Sequence, residues 1–303
     1  MTAEPVPRES DARTSPSESS IRVDAHHHVW DLDVRDEPWI EGEKMAPIRR
    51  TFHICELEPH VESAGISRTV LVQTLSDVGE TRDFLALAES HDLIGAVTGW
   101  VDLTAESVAD DLAALREAPG GRYLRAIRHG VQSEPDPNWL CRPDVRRGLV
   151  EVARAGLRYE LLTFPVQLPA VLATVAALPD LPFVLDHCSK PAIADGQMEP
   201  WATQIRELAR HPHVTCKLSG LVTEADWSTW TVETLKPYVD VVLESFGPER
   251  VMFGSDWPVC LLASSYADWF AAAQELTSHL SPTERAAIFG GTATRFYDLD
   301  GPQ

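Results

Sequence analysis

Short runs rich in β-branched and apolar residues alternate with helical segments from residue 21 onward, and this alternation constrains the fold more than any other feature. The predicted strands are 21–26, 69–74, 94–100, 124–128, 157–161, 183–187, 214–217 and 251–254. After the first gap they recur every 25 to 37 residues, which is the spacing that a strand followed by a crossover helix requires. The pattern indicates parallel strands joined by helices.

The segments between these runs carry the periodicity of amphipathic helices. Val145, Leu149 and Val152 share one helical face, and Ser281-Pro282-Thr283-Glu284 has the composition of a helix start with a capping box. Eight strands that alternate with helices favour an α/β fold of the (β/α)8 TIM-barrel type, which takes roughly 250 residues. A doubly wound open sheet is the rival, although neither GxGxxG nor GxxxxGK[ST] follows any strand.

Domain organisation follows from the composition. Residues 1–20 are rich in Ser, Pro, Thr and Glu and lack an apolar stretch, so we expect a disordered N-terminal tail that is not a signal peptide. Residues 21–303 are predicted to form a single barrel domain. The first interval, from about residue 29 to 68, is long enough to place a loop over the end of the barrel where active sites lie.

Charge and cysteine content exclude several kinds of partner. With 26 Lys and Arg against 46 Asp and Glu, the net charge is −20, which disfavours binding to nucleic acid or an anionic membrane surface. Five scattered cysteines without a CxxC pair fit a reducing cytoplasm. We therefore expect a soluble cytoplasmic protein that acts on a small polar molecule, and an anionic substrate remains open because Arg125, Arg128, Lys190 and Lys217 lie near predicted strand ends. Assembly into a homo-oligomer also remains open.

Polar residues follow nearly every predicted strand. His26 and His28 lie two apart on an extended strand, so both imidazoles point to one side. His187 at the sixth strand end and Asp256 after the eighth complete a shell of three nitrogens and one oxygen. Such a shell suits one divalent ion, most naturally Zn²⁺, with a water in the open position.

Several motifs carry a resemblance to a known family. They are Val23-Asp24-Ala25-His26-His27-His28-Val29-Trp30-Asp31, Arg125-Ala126-Ile127-Arg128-His129, Val184-Leu185-Asp186-His187, Cys216-Lys217-Leu218-Ser219-Gly220 and Met252-Phe253-Gly254-Ser255-Asp256-Trp257-Pro258. In this order they resemble the amidohydrolase-2 branch of the amidohydrolase superfamily, over residues 21 to 299. The resemblance implies a TIM-barrel hydrolase of carbohydrate metabolism that opens sugar-acid lactones, similar to the L-fuconolactone and L-rhamnonolactone hydrolases. Members that resemble the pyrone-dicarboxylate lactonase work without metal, so metal dependence stays open.

The expected roles are these. Asp256 takes a proton from the attacking water, His187 belongs to the same centre, and Arg128 holds or polarises the substrate. Predicted substrate contacts are Arg128, His129, Lys217, Gln73, Trp30, Trp100 and Trp257. The alternative is a metal-dependent decarboxylase of an aromatic or muconate-type acid, because related branches use a similar His and Asp set.

Overall fold

The computed structural model describes residues 21–299, which form eight parallel strands that pair in chain order. The strands are β1 (Val23–His27), β2 (Arg68–Val72), β3 (Ile94–Gly99), β4 (Leu124–His129), β5 (Arg158–Leu161), β6 (Phe183–Leu185), β7 (Val214–Leu218) and β8 (Val251–Phe253). Each overlaps a predicted run. The alternation of apolar runs and amphipathic segments was therefore sufficient to locate every strand.

Helices connect successive strands and cover the outside of the sheet. Within the described residues they are α1 (Ile54–Ser63), α2 (Val78–Ser90), α3 (Val108–Glu117), α4 (Pro143–Arg154), α5 (Leu168–Ala177), α6 (Trp201–Leu208), α7 (Leu221–Glu224), α8 (Val232–Phe246), α9 (Tyr266–Leu276), α10 (Pro282–Ala286) and α11 (Thr292–Tyr297). A π-helical turn, Ala287–Gly291, joins the last two. The predicted capping box is present, since Ser281 Oγ accepts from the Glu284 amide and Glu284 Oε2 accepts from the Ser281 amide.

Backbone hydrogen bonds between the end of β8 and β1 complete the ring. The Asp256 amide donates to the His26 carbonyl oxygen at 2.8 Å, and the His28 amide donates to that of Trp257 at 2.7 Å. An open doubly wound sheet would leave its first and last strands as free edges. The (β/α)8 barrel is therefore confirmed.

The core has two parts. A large apolar shell lies between the strands and the outer helices, and a smaller cluster fills the barrel interior. Small and β-branched residues from the strands line the interior cluster, and Tyr297 of α11 is buried among them. The buried charged side chains of Glu160 and Lys217 lie next to Tyr297.

Two predictions at the strand ends need correction. We expected strand six to run to His187, but β6 ends at Leu185 because His187, Cys188, Ser189 and Lys190 all adopt left-handed backbone angles. The long first interval is not all loop. It contains a 3₁₀ turn, Glu43–Ile48, and α1. The interval reaches the loop that follows β7, because Lys44 Nζ lies 6.0 Å from the centroid of the Trp227 ring.

The remaining sequence predictions concern the chain termini, membranes and cysteines. The predicted disordered tail, residues 1–20, lies outside the described residues, as do residues 300–303. Between residues 21 and 299, no helix combines the length and apolar character needed to cross a bilayer. All five cysteines are free thiols.

Candidate active site

Four side chains converge at the carboxyl ends of the strands. His26 lies in β1 and His28 directly after it, His187 lies in the turn after β6, and Asp256 lies in the segment after β8. Asp256 Oδ1 lies 3.4 Å from His28 Nε2, 3.6 Å from His26 Nε2 and 3.9 Å from His187 Nε2. All four residues are buried. The structure thus brings together the complete set of ligands predicted from the sequence.

An irregularity in the β1–β2 pairing helps to turn His26 toward this centre. Val23 and Ala25 already belong to the interior cluster, so strict alternation along β1 would point His26 outward. The register shifts between Asp24 and His27, as at a β-bulge, and a bulge redirects side chains in this way. The Asp24 carboxylate stabilises the region, because its Oδ1 accepts from the amides of Ser255 and His26.

The donor atoms have the chemistry of a metal site. Among residues 21–299, Asp256 Oδ1 is buried without a hydrogen-bond partner although three imidazole nitrogens surround it. Nδ1 of His28 lies 2.7 Å from the Val72 carbonyl oxygen, to which it can only donate, so its Nε2 carries a free lone pair. Such outer partners fix the tautomer of metal-binding histidines. Donor atoms lie close enough to hold a metal ion in two groups, His26, His28 and Asp256 in one and His26, Asp186 and His187 in the other. Imidazole nitrogens and carboxylate oxygens suit a divalent ion such as Zn²⁺.

Burial keeps the imidazoles of His26 and His187 neutral, which is the form that binds a metal. Desolvation lowers the pKa of His187 to about 4, and it lowers the pKa of His26 well below the ordinary value, with the Lys217 charge adding to the effect. Burial also acts on Asp256 and would raise the pKa of its carboxyl. The side chains of His187, His28 and Lys190 outweigh that effect, so the pKa of Asp256 lies below its ordinary value. Asp256 is therefore an ionised carboxylate at neutral pH.

A left-handed turn presents His187. The φ angles from His187 to Lys190 lie between 49° and 57°, and each such residue costs roughly 1–2 kcal/mol outside glycine. Specific contacts hold the turn, since Trp201 Nε1 donates to the Cys188 carbonyl at 2.7 Å and Ser189 Oγ lies 2.8 Å from Thr163 Oγ1. His187 Nδ1 in turn lies 2.8 Å from Ser219 Oγ. Backbone strain at a ligand-bearing turn is typical of a functional site.

A buried network of charges lies beneath the histidines. Lys217 Nζ lies 2.6 Å from Glu160 Oε2, 3.1 Å from Asp186 Oδ1 and 3.1 Å from His26 Nδ1. Arg128 Nη1 lies 3.2 Å from Asp186 Oδ2. Two cations and two carboxylates therefore neutralise each other inside the barrel.

This arrangement corrects the predicted substrate contact of Lys217. Its side chain is fully buried, and its ammonium is surrounded by protein groups, so a substrate in the cleft cannot reach it in this conformation. Three of the four predicted cations also lie beside carboxylates, so a negative charge on the substrate stays a prediction. Arg128 and Lys217 are paired with carboxylates, and Lys190 lies beside Glu224.

Three other predicted substrate contacts, Gln73, His129 and Trp100, form hydrogen bonds to other protein groups. Gln73 Nε2 donates to the Arg128 carbonyl at 3.0 Å, and the Gln73 carbonyl accepts from Arg128 Nη2. His129 accepts at Nδ1 from the Trp100 indole at 3.0 Å, and its Nε2 lies 2.7 Å from Glu134 Oε1. Both ring nitrogens of His129 are therefore engaged by the protein, while Trp100 remains partly exposed.

The other two tryptophans are corrected as substrate contacts. Trp30 and Trp257 are buried on either side of Phe52, with edge-to-face ring contacts at 5.4 Å. The Trp30 indole donates to the Arg50 carbonyl. Both rings pack against Phe52, which belongs to the loop that follows β1.

The predicted catalytic, metal and substrate residues do not include several residues that this site uses. Ser219 holds His187, and Asp186 and Glu160 balance the buried cations, although all three follow or end predicted strands. Gly220 was not singled out either. A Cβ at this position would lie 2.7 Å from the His187 ring, and only the folded chain shows that proximity.

Comparison with known proteins agrees with this geometry. Residues 23–299 match the amidohydrolase family. The chain is 38% identical over 287 residues to an L-fucono-1,5-lactonase of Burkholderia ambifaria, covering 93% of this chain and 97% of that protein. A crystal structure of an amidohydrolase from Burkholderia multivorans with bound zinc is 39% identical, with a TM-score of 0.87, over 92% of this chain and 99% of that one. A 2,6-dihydroxybenzoate decarboxylase from Rhizobium, 14% identical with a TM-score of 0.60 over 93% of this chain and all of that one, shares the fold alone.

The ring of parallel strands, with polar side chains converging at their carboxyl ends, is the arrangement of a TIM-barrel hydrolase. The chain belongs to the amidohydrolase family.

Proposed function

We propose that this protein is a lactonase that opens sugar-acid lactones by adding water to the ring ester. The observation that carries the proposal is Asp256 Oδ1, a buried carboxylate oxygen without a protein hydrogen bond, at the centre of three imidazoles. The likeness to an L-fucono-1,5-lactonase over nearly the whole chain supports the same reaction and favours a 1,5-lactone of an aldonic acid as the substrate.

His26, His28, His187 and Asp256 would hold one divalent ion, which we propose to be zinc because a zinc-containing relative is 39% identical. When bound, the ion supplies Lewis acidity, which lowers the pKa of a water and polarises a carbonyl. The protein orients His28 through the Val72 carbonyl and His187 through Ser219.

Asp256 has the protonation state that a general base requires. Its pKa lies below the ordinary value, so the carboxylate is ready to accept the proton of the attacking water. When the ring C–O bond breaks, the leaving alkoxide needs a proton, and protonated Asp256 can return the one it took. Arg128 lies beside this centre, with Nη1 3.3 Å from His26 Nε2, and we assign it to the developing negative charge on the carbonyl oxygen.

The test is a screen of aldono-1,4- and 1,5-lactones with the zinc-loaded protein in weak buffer containing a pH indicator. Hydrolysis releases acid, whereas the alternative decarboxylation of an aromatic or muconate-type acid releases CO₂ and consumes a proton. Removal of the metal with a chelator and restoration with zinc should abolish and then restore the activity. Failure to hydrolyse any lactone, with CO₂ release from an aromatic acid, would overturn the proposal in favour of the decarboxylase.

The cytoplasmic location and assembly into a homo-oligomer expected from the sequence remain proposals. The free cysteines are consistent with a reducing compartment. Fractionation of the native host cell and light scattering of the purified protein would test the two points separately.

A further inference from the structure

Three side chains from neighbouring loops meet at the carboxyl end of the barrel, outside the ligand set. Phe164 follows β5, Lys190 follows β6 and Glu224 ends α7 in the loop after β7. Lys190 Nζ lies 5.3 Å from the centroid of the Phe164 ring and 3.8 Å from Glu224 Oε1. We call these three residues the cleft wall.

The backbone fixes the cleft wall relative to the candidate metal centre. Lys190 belongs to the same left-handed turn as His187, and its amide donates to the His187 carbonyl oxygen at 2.8 Å. The Glu224 carbonyl accepts from the Ala194 amide at 3.0 Å, which ties the β6 and β7 loops together. A ligand seated at His187 therefore has these loops beside it.

The polar groups of the cleft wall are available to a ligand. A separation of 3.8 Å between ammonium and carboxylate is too long for a direct hydrogen bond, but it is short enough for one hydroxyl group to contact both charges. Each side chain is about one-fifth exposed. Phe164 is 39% exposed, which leaves part of an aromatic surface in contact with solvent.

Charge balance indicates which ligands the cleft wall accepts. Glu224 offsets the charge of Lys190, just as Asp186 and Glu160 offset those of Arg128 and Lys217. A carboxylate on the substrate would meet Glu224 together with Lys190, and like charges in a partly desolvated cleft repel. A hydroxyl group can donate to Glu224 and accept from Lys190, while sugar C–H groups can pack on the exposed surface of Phe164.

We propose that Lys190, Glu224 and Phe164 are specificity-determining residues, which bind ring hydroxyls of an uncharged lactone and discriminate against lactones that carry a carboxylate. This inference rests on the proposed lactonase function. The ammonium and carboxylate bind hydroxyl groups, and Phe164 provides the apolar surface beneath the ring. All three contribute to recognition rather than to the chemical step.

The experiment compares the zinc-loaded parent, Lys190→Met, Glu224→Gln and Phe164→Ala on two substrates. One is an aldonolactone, and the other is the aldarolactone with a carboxylate in place of the terminal hydroxymethyl group. Lys190→Met and Phe164→Ala should raise KM for the aldonolactone about tenfold while kcat changes less than threefold. Glu224→Gln should raise kcat/KM for the aldarolactone, relative to the aldonolactone, about tenfold. Asp240→Asn serves as the control, because Asp240 pairs with Lys236 at 2.7 Å on the solvent-facing side of α8.

The outcomes separate the two proposals. If the parent hydrolyses neither lactone, the lactonase function fails and the role of the cleft wall fails with it. If the parent is active and the three variants keep its KM and its preference between the two substrates, only the cleft-wall inference is overturned. The zinc content of every variant shows whether a loss of activity comes from a disturbed metal centre. If the preference between the two substrates changes only in variants that have lost zinc, the cleft-wall inference is also overturned.

Discussion

The amide of Asp256 donates to the carbonyl oxygen of His26, so a hydrogen bond that closes the barrel also joins two of the four candidate metal ligands. Asp256 adopts a left-handed backbone angle, with φ of 56°, which an aspartate tolerates better than most residues. Closure of the fold and assembly of the site are thus one structural event.

Asp256→Asn tests the role assigned to the carboxylate. Asparagine has nearly the same shape but cannot accept the proton of a water at neutral pH, so kcat should fall by roughly 10²- to 10⁴-fold. The measurement is kcat on any lactone that the parent hydrolyses, expressed per bound zinc so that weaker metal binding does not distort the result. Asp240→Asn, at an exposed position, should leave kcat unchanged. A kcat within threefold of the parent for Asp256→Asn would rule out the general-base assignment.

Gly220→Ala tests the packing that holds His187. Both Gly220 and Gly156 have positive φ angles, of 63° and 69°, so alanine strains the backbone in either place by roughly 1–2 kcal/mol. Only at Gly220 does the added Cβ meet a neighbour, the His187 ring at 2.7 Å, whereas nothing lies within 4 Å at Gly156. We expect Gly220→Ala to weaken zinc affinity about 10- to 100-fold, as loss of an outer partner does.

Competition with a chromogenic chelator measures that affinity, and Gly156→Ala is the matched control. In chemical denaturation, both variants should lose a similar amount of unfolding free energy because both strain the backbone. Gly220→Ala should lose more than the control because its Cβ also meets the His187 ring. Equal zinc affinities for the two variants would show that the His187 contact does not position the ligand.

The sequence predicted the strands and the ligands because both depend on local pattern. Apolar runs at regular spacing define the strands, and the strand-end position of His26, His28, His187 and Asp256 places them on one face of a barrel. Roles that depend on distant partners were harder to predict. Lys217 and Trp257 sit at strand ends like true substrate contacts, and only the packing of Glu160, Asp186 and Phe52 around them shows that they are inaccessible.

Backbone irregularities were the second source of error. No residue type in His187-Cys188-Ser189-Lys190 favours four successive left-handed angles, so nothing local indicated where β6 ends. The turn exists because tertiary contacts from Trp201 and Thr163 stabilise it. Similarly, the shift of register in β1 depends on its pairing with β2.

Lys217→Met tests the buried charge network. Methionine fills a similar volume but leaves Glu160 and Asp186 without the ammonium that neutralises them, and an unpaired buried charge costs about 3–5 kcal/mol. The free energy of unfolding, from urea titration at neutral pH, should fall by that amount. Lys236→Met on exposed α8 removes a surface pair and should change it by about 1 kcal/mol or less. Similar values for the two variants would mean that the network does not stabilise the barrel.

Glu80→Gln tests a second group of buried polar residues, at the start of α2. The Glu80 carboxylate accepts from the amides of Thr74 and Leu75 at 3.0–3.1 Å, and the Thr74 hydroxyl contacts both Glu80 and Glu37. Burial, reinforced by the Glu37 charge, raises the pKa of Glu80 from 4.5 to about 7 despite these hydrogen bonds. Folded protein therefore retains a proton on Glu80 over a range of pH in which unfolded protein has released it.

The sign of the pH dependence follows from that difference. Between pH 4.5 and about 7 the folded state binds the extra proton, so Glu80 makes the protein less stable as the pH rises through this window. The slope approaches 1.4 kcal/mol per pH unit, or about 3 kcal/mol across the window as an upper bound. Glutamine keeps an acceptor but does not titrate, so Glu80→Gln should gain stability relative to the parent as the pH increases from 5 to 8.

Urea unfolding at pH 5, 6, 7 and 8 measures the stability difference directly. Glu89→Gln is the matched control, since Glu89 lies on the same helix but is exposed and pairs with Arg122 at 2.7 Å. Its stability difference from the parent should change with pH by much less than that of Glu80→Gln. A constant difference between Glu80→Gln and the parent from pH 5 to 8 would show that Glu80 titrates normally in the folded protein, and that its hydrogen bonds to the β2–α2 loop offset the cost of burial.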